Sequence, residues 1–158
     1  MAQKEIVLSP EGLEKLEKEL EYLKSVRRRE VAERIKQARQ FGDLDENSEY
    51  EDAKNEQAFV EARIAELENV LRYARVLNRE AIDPERVSLG SKVTLRDLDT
   101  GDEFTYTIVS SAEADPAAGR ISDQSPVGRA VLGQRPGAQV EVAAPLGRFR
   151  YEIVALGR

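Results

Sequence analysis

Leucine recurs along the first third of the chain at positions 13, 16, 20 and 23, spacings of three, four and three that mark the seam of a coiled coil. Ser9 is a good N-cap, Pro10 suits the first helical position, and Glu11 complements the positive end of the helix dipole. The stripe slips through Val26 and the run Arg27, Arg28 and Arg29, then resumes at Val31, Ile35 and Ala38. A helix from Ser9 should end near Phe41 and Gly42, with Gly42 as a left-handed C-cap. A second helix should start at Asn47 or Ser48, since Ser48 and Glu51 have the spacing of a capping box. Its apolar positions are Val60, Ile64, Leu67, Leu71 and Ala74. Two such stripes joined by a short connection predict an antiparallel helical hairpin folded at residues 42–47. Its arms would reach roughly 50 Å at 1.5 Å per residue.

The pattern then changes. Between Pro10 and Ala81 there is no proline, and glycine is confined to positions 12 and 42; beyond Pro84, Gly, Pro, Val and Thr become frequent. The boundary is placed there, with residues 1–80 as the hairpin and 81–158 as a globular domain. In the second part, Lys92 to Leu98 and Glu103 to Val109 flank a turn at Asp99, Thr100, Gly101 and Asp102. Gln139 to Ala143 and Phe149 to Ala155 flank Pro145, Leu146 and Gly147. Ser125 and Pro126 open, and Gly133 closes, a helix of about two turns. The expected class is α+β: a coiled-coil hairpin followed by a small antiparallel sheet carrying one short helix.

Composition narrows the chemistry. With no Cys and no His, the chain has no thiolate nucleophile, no disulfide and no imidazole base or ligand. The formal net charge of −6 argues against a general nucleic-acid binder, which needs clustered cations. The polar start (Ala2, Gln3, Lys4, Glu5) does not read as a signal peptide, and no apolar run approaches membrane-spanning length. The expected location is the cytoplasm, away from membranes.

Asp43, Asp45, Glu46, Glu49, Glu51 and Asp52 crowd into residues 43–52, which hold no Lys or Arg. Acids stabilise the first turn of a helix, and Asp suits turns, so capping accounts for one or two of them. The others repel one another. The alternative is a donated metal site. Mg²⁺ takes oxygen ligands and commonly only one or two protein carboxylates, so a pair at a hairpin tip would complete a site supplied by a partner and a phosphate.

At this point the residues resemble a known family. Gly42, Asp43, Leu44, Asp45, Glu46, Asn47, Ser48, Glu49 and Tyr50, followed by Ala53, Lys54, Glu56 and Gln57, resemble the tip of the bacterial Gre transcript-cleavage factors. Residues 34–39 and 61–64 are similar to the same family. So are Ile121 and Ser122, the run Ser125, Pro126, Val127, Gly128, Arg129 and Ala130, the pair Leu132 and Gly133, and Tyr151, Glu152 and Ile153. The resemblance implies a coiled-coil hairpin and a globular domain similar in fold to FK506-binding proteins. It implies binding to bacterial RNA polymerase, with the hairpin inserted through the secondary channel, and stimulation of cleavage of the extruded RNA 3′ end in backtracked complexes. The nuclease would be the polymerase's own, and the factor, a monomer in isolation, an accessory.

By that resemblance Asp43 and Glu46 are the catalytic carboxylates that hold the second Mg²⁺, within the polymerase complex only. Arg39 and Lys54 match basic positions that engage the RNA, and Tyr50 matches a tip aromatic that orients the acids or stacks on a base. Ser125, Pro126, Val127 and Gly128 become a polymerase-docking surface, where residue chemistry alone gives a capped helix. Lys54 stands where arginine is common, a point charge without the bidentate fork. Ala138 stands where an acid is common. Asp45 adds negative charge beside the pair, which keeps open an inhibitor that occupies the polymerase's metals; a chaperone-like adaptor binding basic clients is the reading from a different class.

Two further patterns bear on function. Lys24, Arg27, Arg28, Arg29, Arg34, Lys36 and Arg39 form a basic stretch interrupted by Glu30 and Glu33. It is either a solvated helix face with i,i+4 pairs such as Glu30 with Arg34 or one side of an RNA path. Phe104, Tyr106, Phe149 and Tyr151 alternate within strands and read as sheet packing.

Overall fold

A computed structural model describes residues 5–40 and 48–158. The chain forms two compact units, one of Glu11–Ala74 and one of the residues up to Pro10 together with Arg75–Arg158. The architecture is α+β.

The first arm of the hairpin comprises α1 (Pro10–Tyr22), a π-helical turn (Leu23–Arg27) and α2 (Arg28–Arg39); the second is α3 (Ser48–Arg72). The π turn accounts for the slip in the leucine stripe. Continued at heptad spacing, positions 13, 16, 20 and 23 predict 27, 30, 34 and 37. The buried residues stand one place later, at Val31, Ile35 and Ala38. A π turn takes in an extra residue, and Arg28 N–H closes it on the carbonyl of Leu23 five residues back. The stripe therefore stays on the face toward α3. There Val31 and Ile35 share a core with Ala53, Val60 and Ile64, and Leu20, Leu23 and Tyr50 pack against it.

Two expectations for the hairpin are corrected, and a third lies outside the described residues. α2 ends at Arg39, with Gln40 N–H turning back to the carbonyl of Gln37, so the helix stops two residues before the expected end. The C-cap expected at Gly42 lies outside the described residues. Ala74 belongs to a strand, β2 (Ala74–Val76), because the helix stops at Arg72 and the chain pairs with β1 (Ile6–Leu8).

In the other unit five strands lie in the order β5-β4-β3-β7-β6: β3 (Lys92–Asp97), β4 (Glu103–Val109), β5 (Arg120–Ser122), β6 (Gln139–Ala144) and β7 (Gly147–Gly157). Both expected hairpins form. Asp97 closes the first by accepting the N–H groups of Asp99 and Thr100, with Gly101 in the left-handed region. The second turns on two residues, since Ala144 pairs with Gly147. The sheet is not wholly antiparallel, as β5 joins β4 in parallel. Two single-turn 3-10 helices, Ser111–Glu113 and Pro116–Ala118, carry the chain back to make that alignment. Val93, Leu95, Ile108, Ile121 and Ile153 fill one face of the sheet, where Val131 of α4 (Pro126–Val131) joins them. The aromatic pairs 104/106 and 149/151 stack along their own strands, their centroids 6.4 Å apart.

Candidate functional site

The far end of the hairpin is where the last turn of α2 faces the first turns of α3. Arg39 is the last residue of α2, and its guanidinium carbon lies 5.7 Å from the centre of the Tyr50 ring. The Arg39 guanidinium also acts on the Tyr50 hydroxyl as a hydrogen-bonding cation. Its hydrogen-bonding influence holds the phenol below its usual pKa; partial burial opposes the shift, and the charges of Arg39 and then Lys54 add to it. Tyr50 is half-buried against the apolar core of the hairpin. Lys54, one turn on, donates to Gln57 at 3.0 Å and stays exposed. Close approach of the helices here rests on small side chains: Ala38 and Ala53 are both buried.

Arg39, Tyr50 and Lys54 thus share one end of the hairpin, with the exposed acids Glu49, Glu51 and Asp52 on the same first turns of α3. Asp43, Asp45 and Glu46 fall in residues 41–47, outside the described residues. Among the described residues no group of three or more acidic, histidine or cysteine side chains could hold a metal ion.

The basic stretch divides into engaged and unengaged cations. Arg28 forms a bidentate pair with Glu61, at 2.9 and 2.8 Å. Arg27 and Arg34 both reach Glu56, and Lys24 lies 3.6 Å from Glu68. Arg63 returns the contact from α3, gripping Glu19 at 2.7 and 2.9 Å. The expected pair of Glu30 with Arg34 is not made. Glu56 is only a quarter exposed and sits between two arginines, so it outcompetes a carboxylate on the solvated face; Glu30 turns to Arg27 at 3.5 Å instead. Among the described residues Arg29 and Lys36 form no ion pair, and Arg39 rests on Tyr50.

The segment 125–128 has a structural reason for each residue. Ser125 Oγ accepts the Gly128 N–H at 3.0 Å and donates to the Ser122 carbonyl at 2.6 Å, capping α4 on both sides. Pro126 occupies the first helical turn, and Val127 packs on the core. A Cβ on Gly128 would overlap the Ser122 carbonyl oxygen, so only glycine lets α4 approach β5. Of the four, Pro126 alone is exposed.

Reasoning from the sequence missed Glu113. Its carboxylate, 5% exposed, accepts the Ser9 N–H at 2.8 Å, the Ser9 hydroxyl at 2.6 Å and Arg120 at 2.7 Å. Nothing in the surrounding Ser110-Ser111-Ala112-Glu113-Ala114 marks that acid as special, because its partners stand 104 residues before it and 7 after it.

Comparison with known proteins covers both units. Residues 6–76 match the family model described as transcription elongation factor, N-terminal, and residues 82–158 match transcription elongation factor, GreA/GreB, C-term. The chain is 57% identical over 152 residues to transcription elongation factor GreA of Syntrophomonas wolfei, covering 96% of each protein. It is 54% identical to the factor of the same name from Acetivibrio thermocellus, over 97% of this chain and 96% of that one. Among solved structures, the GreA factor homolog 1 (Gfh1) protein of Thermus thermophilus is 33% identical with a TM-score of 0.46, over 98% of this chain and all of that one. Matched along both halves, the chain belongs to the GreA/GreB family of transcription elongation factors.

Proposed function

We propose that this chain binds bacterial RNA polymerase through the secondary channel and stimulates cleavage of the extruded RNA 3′ end in backtracked complexes. What carries the reading is family membership across both units combined with Asp43 and Glu46 in the short connection between the two arms. The bond-breaking activity belongs to the polymerase, and this chain acts in the cytoplasm as a monomeric accessory factor. No described helix is long and apolar enough to cross a membrane.

The donor set suits the task. Two carboxylates match the share of protein ligands that Mg²⁺ commonly takes, with RNA phosphate, water and polymerase groups completing the shell. When bound, that ion supplies activation of a water toward the phosphodiester. Asp43 and Glu46 contribute negative oxygen ligands. Arg39 and Lys54 neutralise the RNA backbone, Lys54 as a point charge and Arg39 through a fork of planar donors. The globular unit docks at the channel rim through the surface around Pro126.

The test is RNA cleavage in a stalled, backtracked polymerase complex with Mg²⁺, comparing the intact chain with Asp43→Asn and Glu46→Gln. Rapid 3′ cleavage that both substitutions abolish, with polymerase binding retained, is the expected result. Slower elongation without cleavage, or cleavage indifferent to both substitutions, would overturn the assignment.

A further inference from the structure

An arginine at the end of an exposed helix ordinarily samples many rotamers, and one that must meet a phosphate pays for its ordering on binding. Arg39 is not in that situation. Its guanidinium is held by one residue: it lies 5.7 Å from the centre of the Tyr50 ring, close enough to hold the phenol below its usual pKa. The ring is itself fixed, because it packs against the core that Val31, Ile35, Ala53, Val60 and Ile64 form between the arms. The anchor therefore comes from the opposite helix. It sets where the guanidinium sits across the end of the hairpin as well as how freely it moves.

Two other arginines of α2 show the contrast. Arg28 and Arg34 are fastened by glutamates of α3, which neutralise them as they hold them. Tyr50 holds Arg39 without cancelling its charge. Among the described residues no carboxylate pairs with Arg39, and a contact with the ring leaves N–H donors of the guanidinium for an anion.

We propose that Tyr50 is a positioning residue: it pre-orders Arg39 as a charged, open fork for the backbone phosphate of single-stranded RNA at the hairpin end. The inference rests on the reading of Arg39 as an RNA contact given above. It assigns Tyr50 to the arginine, in place of orienting the acids or stacking on a base.

The experiment uses the full chain and backtracked polymerase complexes, reading the factor concentration for half-maximal cleavage and the maximal rate separately. The variants are Tyr50→Phe, Tyr50→Leu, Arg39→Ala and the double variant Tyr50→Leu/Arg39→Ala. Far-ultraviolet circular dichroism confirms that each hairpin is helical. Tyr50→Leu should raise the half-maximal concentration about three- to tenfold, with Tyr50→Phe between it and the intact chain, and leave the maximal rate unchanged. In the Arg39→Ala background Tyr50→Leu should add nothing, which is the signature of a residue acting through its neighbour.

Salt gives a second readout. Arg39→Ala should flatten the dependence of log concentration on log salt by about 0.7, the value for one single-strand phosphate contact, whereas Tyr50→Leu should keep the slope because the charge remains. A tyrosinate absorbance titration, intact chain minus Tyr50→Phe, should show the Tyr50 phenol ionising at higher pH once Arg39 is alanine. If Arg39→Ala leaves both concentration and slope unchanged, the RNA-contact reading itself fails. If Arg39→Ala weakens the factor but Tyr50→Leu does not, or if Tyr50→Leu weakens it equally in both backgrounds, the positioning role is wrong and the contact stands. A fall in maximal rate on Tyr50→Phe would return Tyr50 to the acids.

Discussion

Replacing Glu113 is the perturbation whose size follows most directly from the structure. The carboxylate is nearly buried and receives three hydrogen bonds, two from Ser9 and one from Arg120. Hydrogen bonds to a charged group contribute about 1.5–3 kcal/mol each when taken singly, but three on one carboxylate share a desolvation cost and do not add. Removing one member of a buried ion pair costs about 3–5 kcal/mol when the other is left stranded. Arg120 remains about a third exposed and can rehydrate, which places Glu113→Ala near the lower end, at about 3 kcal/mol. Glu113→Gln keeps the volume and one acceptor for Ser9 but turns amide hydrogens toward Arg120, for a loss of about 1–2 kcal/mol.

The assay is thermal unfolding followed by near-ultraviolet circular dichroism. Phe104, Tyr106, Phe149 and Tyr151 contribute there from the unit that contains Glu113, beside Tyr22, Tyr50 and Tyr73 of the hairpin, so a parallel far-ultraviolet melt follows the helices and shows which transition moves. For a unit of this size each kcal/mol moves the midpoint by about 4–8 °C, so Glu113→Ala should lower it by roughly 12–24 °C. The double variant Glu113→Leu/Arg120→Met should recover only the part owed to the stranded Arg120, because the two Ser9 donors still lose their acceptor. If Glu113→Ala and Glu113→Gln both melt within experimental error of the intact chain, the carboxylate is not the clamp its geometry implies.

Other consequences follow from the same kind of reasoning. Gly128→Ala should destabilise the globular unit by about 1–3 kcal/mol through overpacking against the Ser122 carbonyl, read as a lower urea midpoint, whereas Gly101→Ala meets no neighbour and should show only the backbone strain of its left-handed φ, about 1 kcal/mol. Glu56→Gln releases Arg27 and Arg34 together and should cost the hairpin about 1 kcal/mol in urea, more than Glu14→Gln, whose partner Lys18 is a solvated neighbour on the same helix. The hydrogen bond from Arg63 holds Glu19 below its ordinary carboxylate pKa. A lowered acid stabilises the fold above its unfolded pKa and loses that contribution as pH falls through the folded value. Helix melting should therefore show a drop in stability as pH falls through the range below 4.5, and Glu19→Gln should shrink it.

How much of this was legible in the sequence differs between the units for a physical reason. The hairpin is written in local periodicity, so its two arms, their antiparallel sense and nearly all their core positions follow from spacing. Ion pairing did not follow, because the choice of Glu56 over Glu30 for Arg34 depends on which carboxylate lies between two cations across the hairpin. In the globular unit the two hairpins announce themselves by turn chemistry, and Ser125 by its cap. β5 could not be read, since three residues carry no period and their parallel alignment to β4 is set by long-range packing. The same holds for Glu113, whose first partner stands near the other end of the chain. Of the candidate site, the sequence placed Arg39, Tyr50 and Lys54 at one end of the hairpin but not the grip of Tyr50 on Arg39.

The slip in the leucine stripe lies between these cases. The sequence shows a phase error of one residue between Leu23 and Val31 without saying how the backbone repairs it. Repair by rotating the arm would have carried Val31 and Ile35 away from α3, yet both are buried. Over-winding would have shortened the turn where an extra residue had to be fitted. A π turn adds the residue and preserves the face, at the cost of one turn of less favourable hydrogen bonds. The arm thereby reaches Arg39 in the rotational phase that lets it meet Tyr50. With one residue fewer between Leu23 and Val31, the heptad would run unbroken and need no π turn. The apolar stripe would still face α3, but everything beyond it would shift along the arm by about 1.5 Å. That displacement keeps Val31 and Ile35 on the face toward α3 but slides them along it, and it loosens Arg34 from Glu56 and Arg39 from Tyr50, which links the irregular turn to the site at the far end of the hairpin.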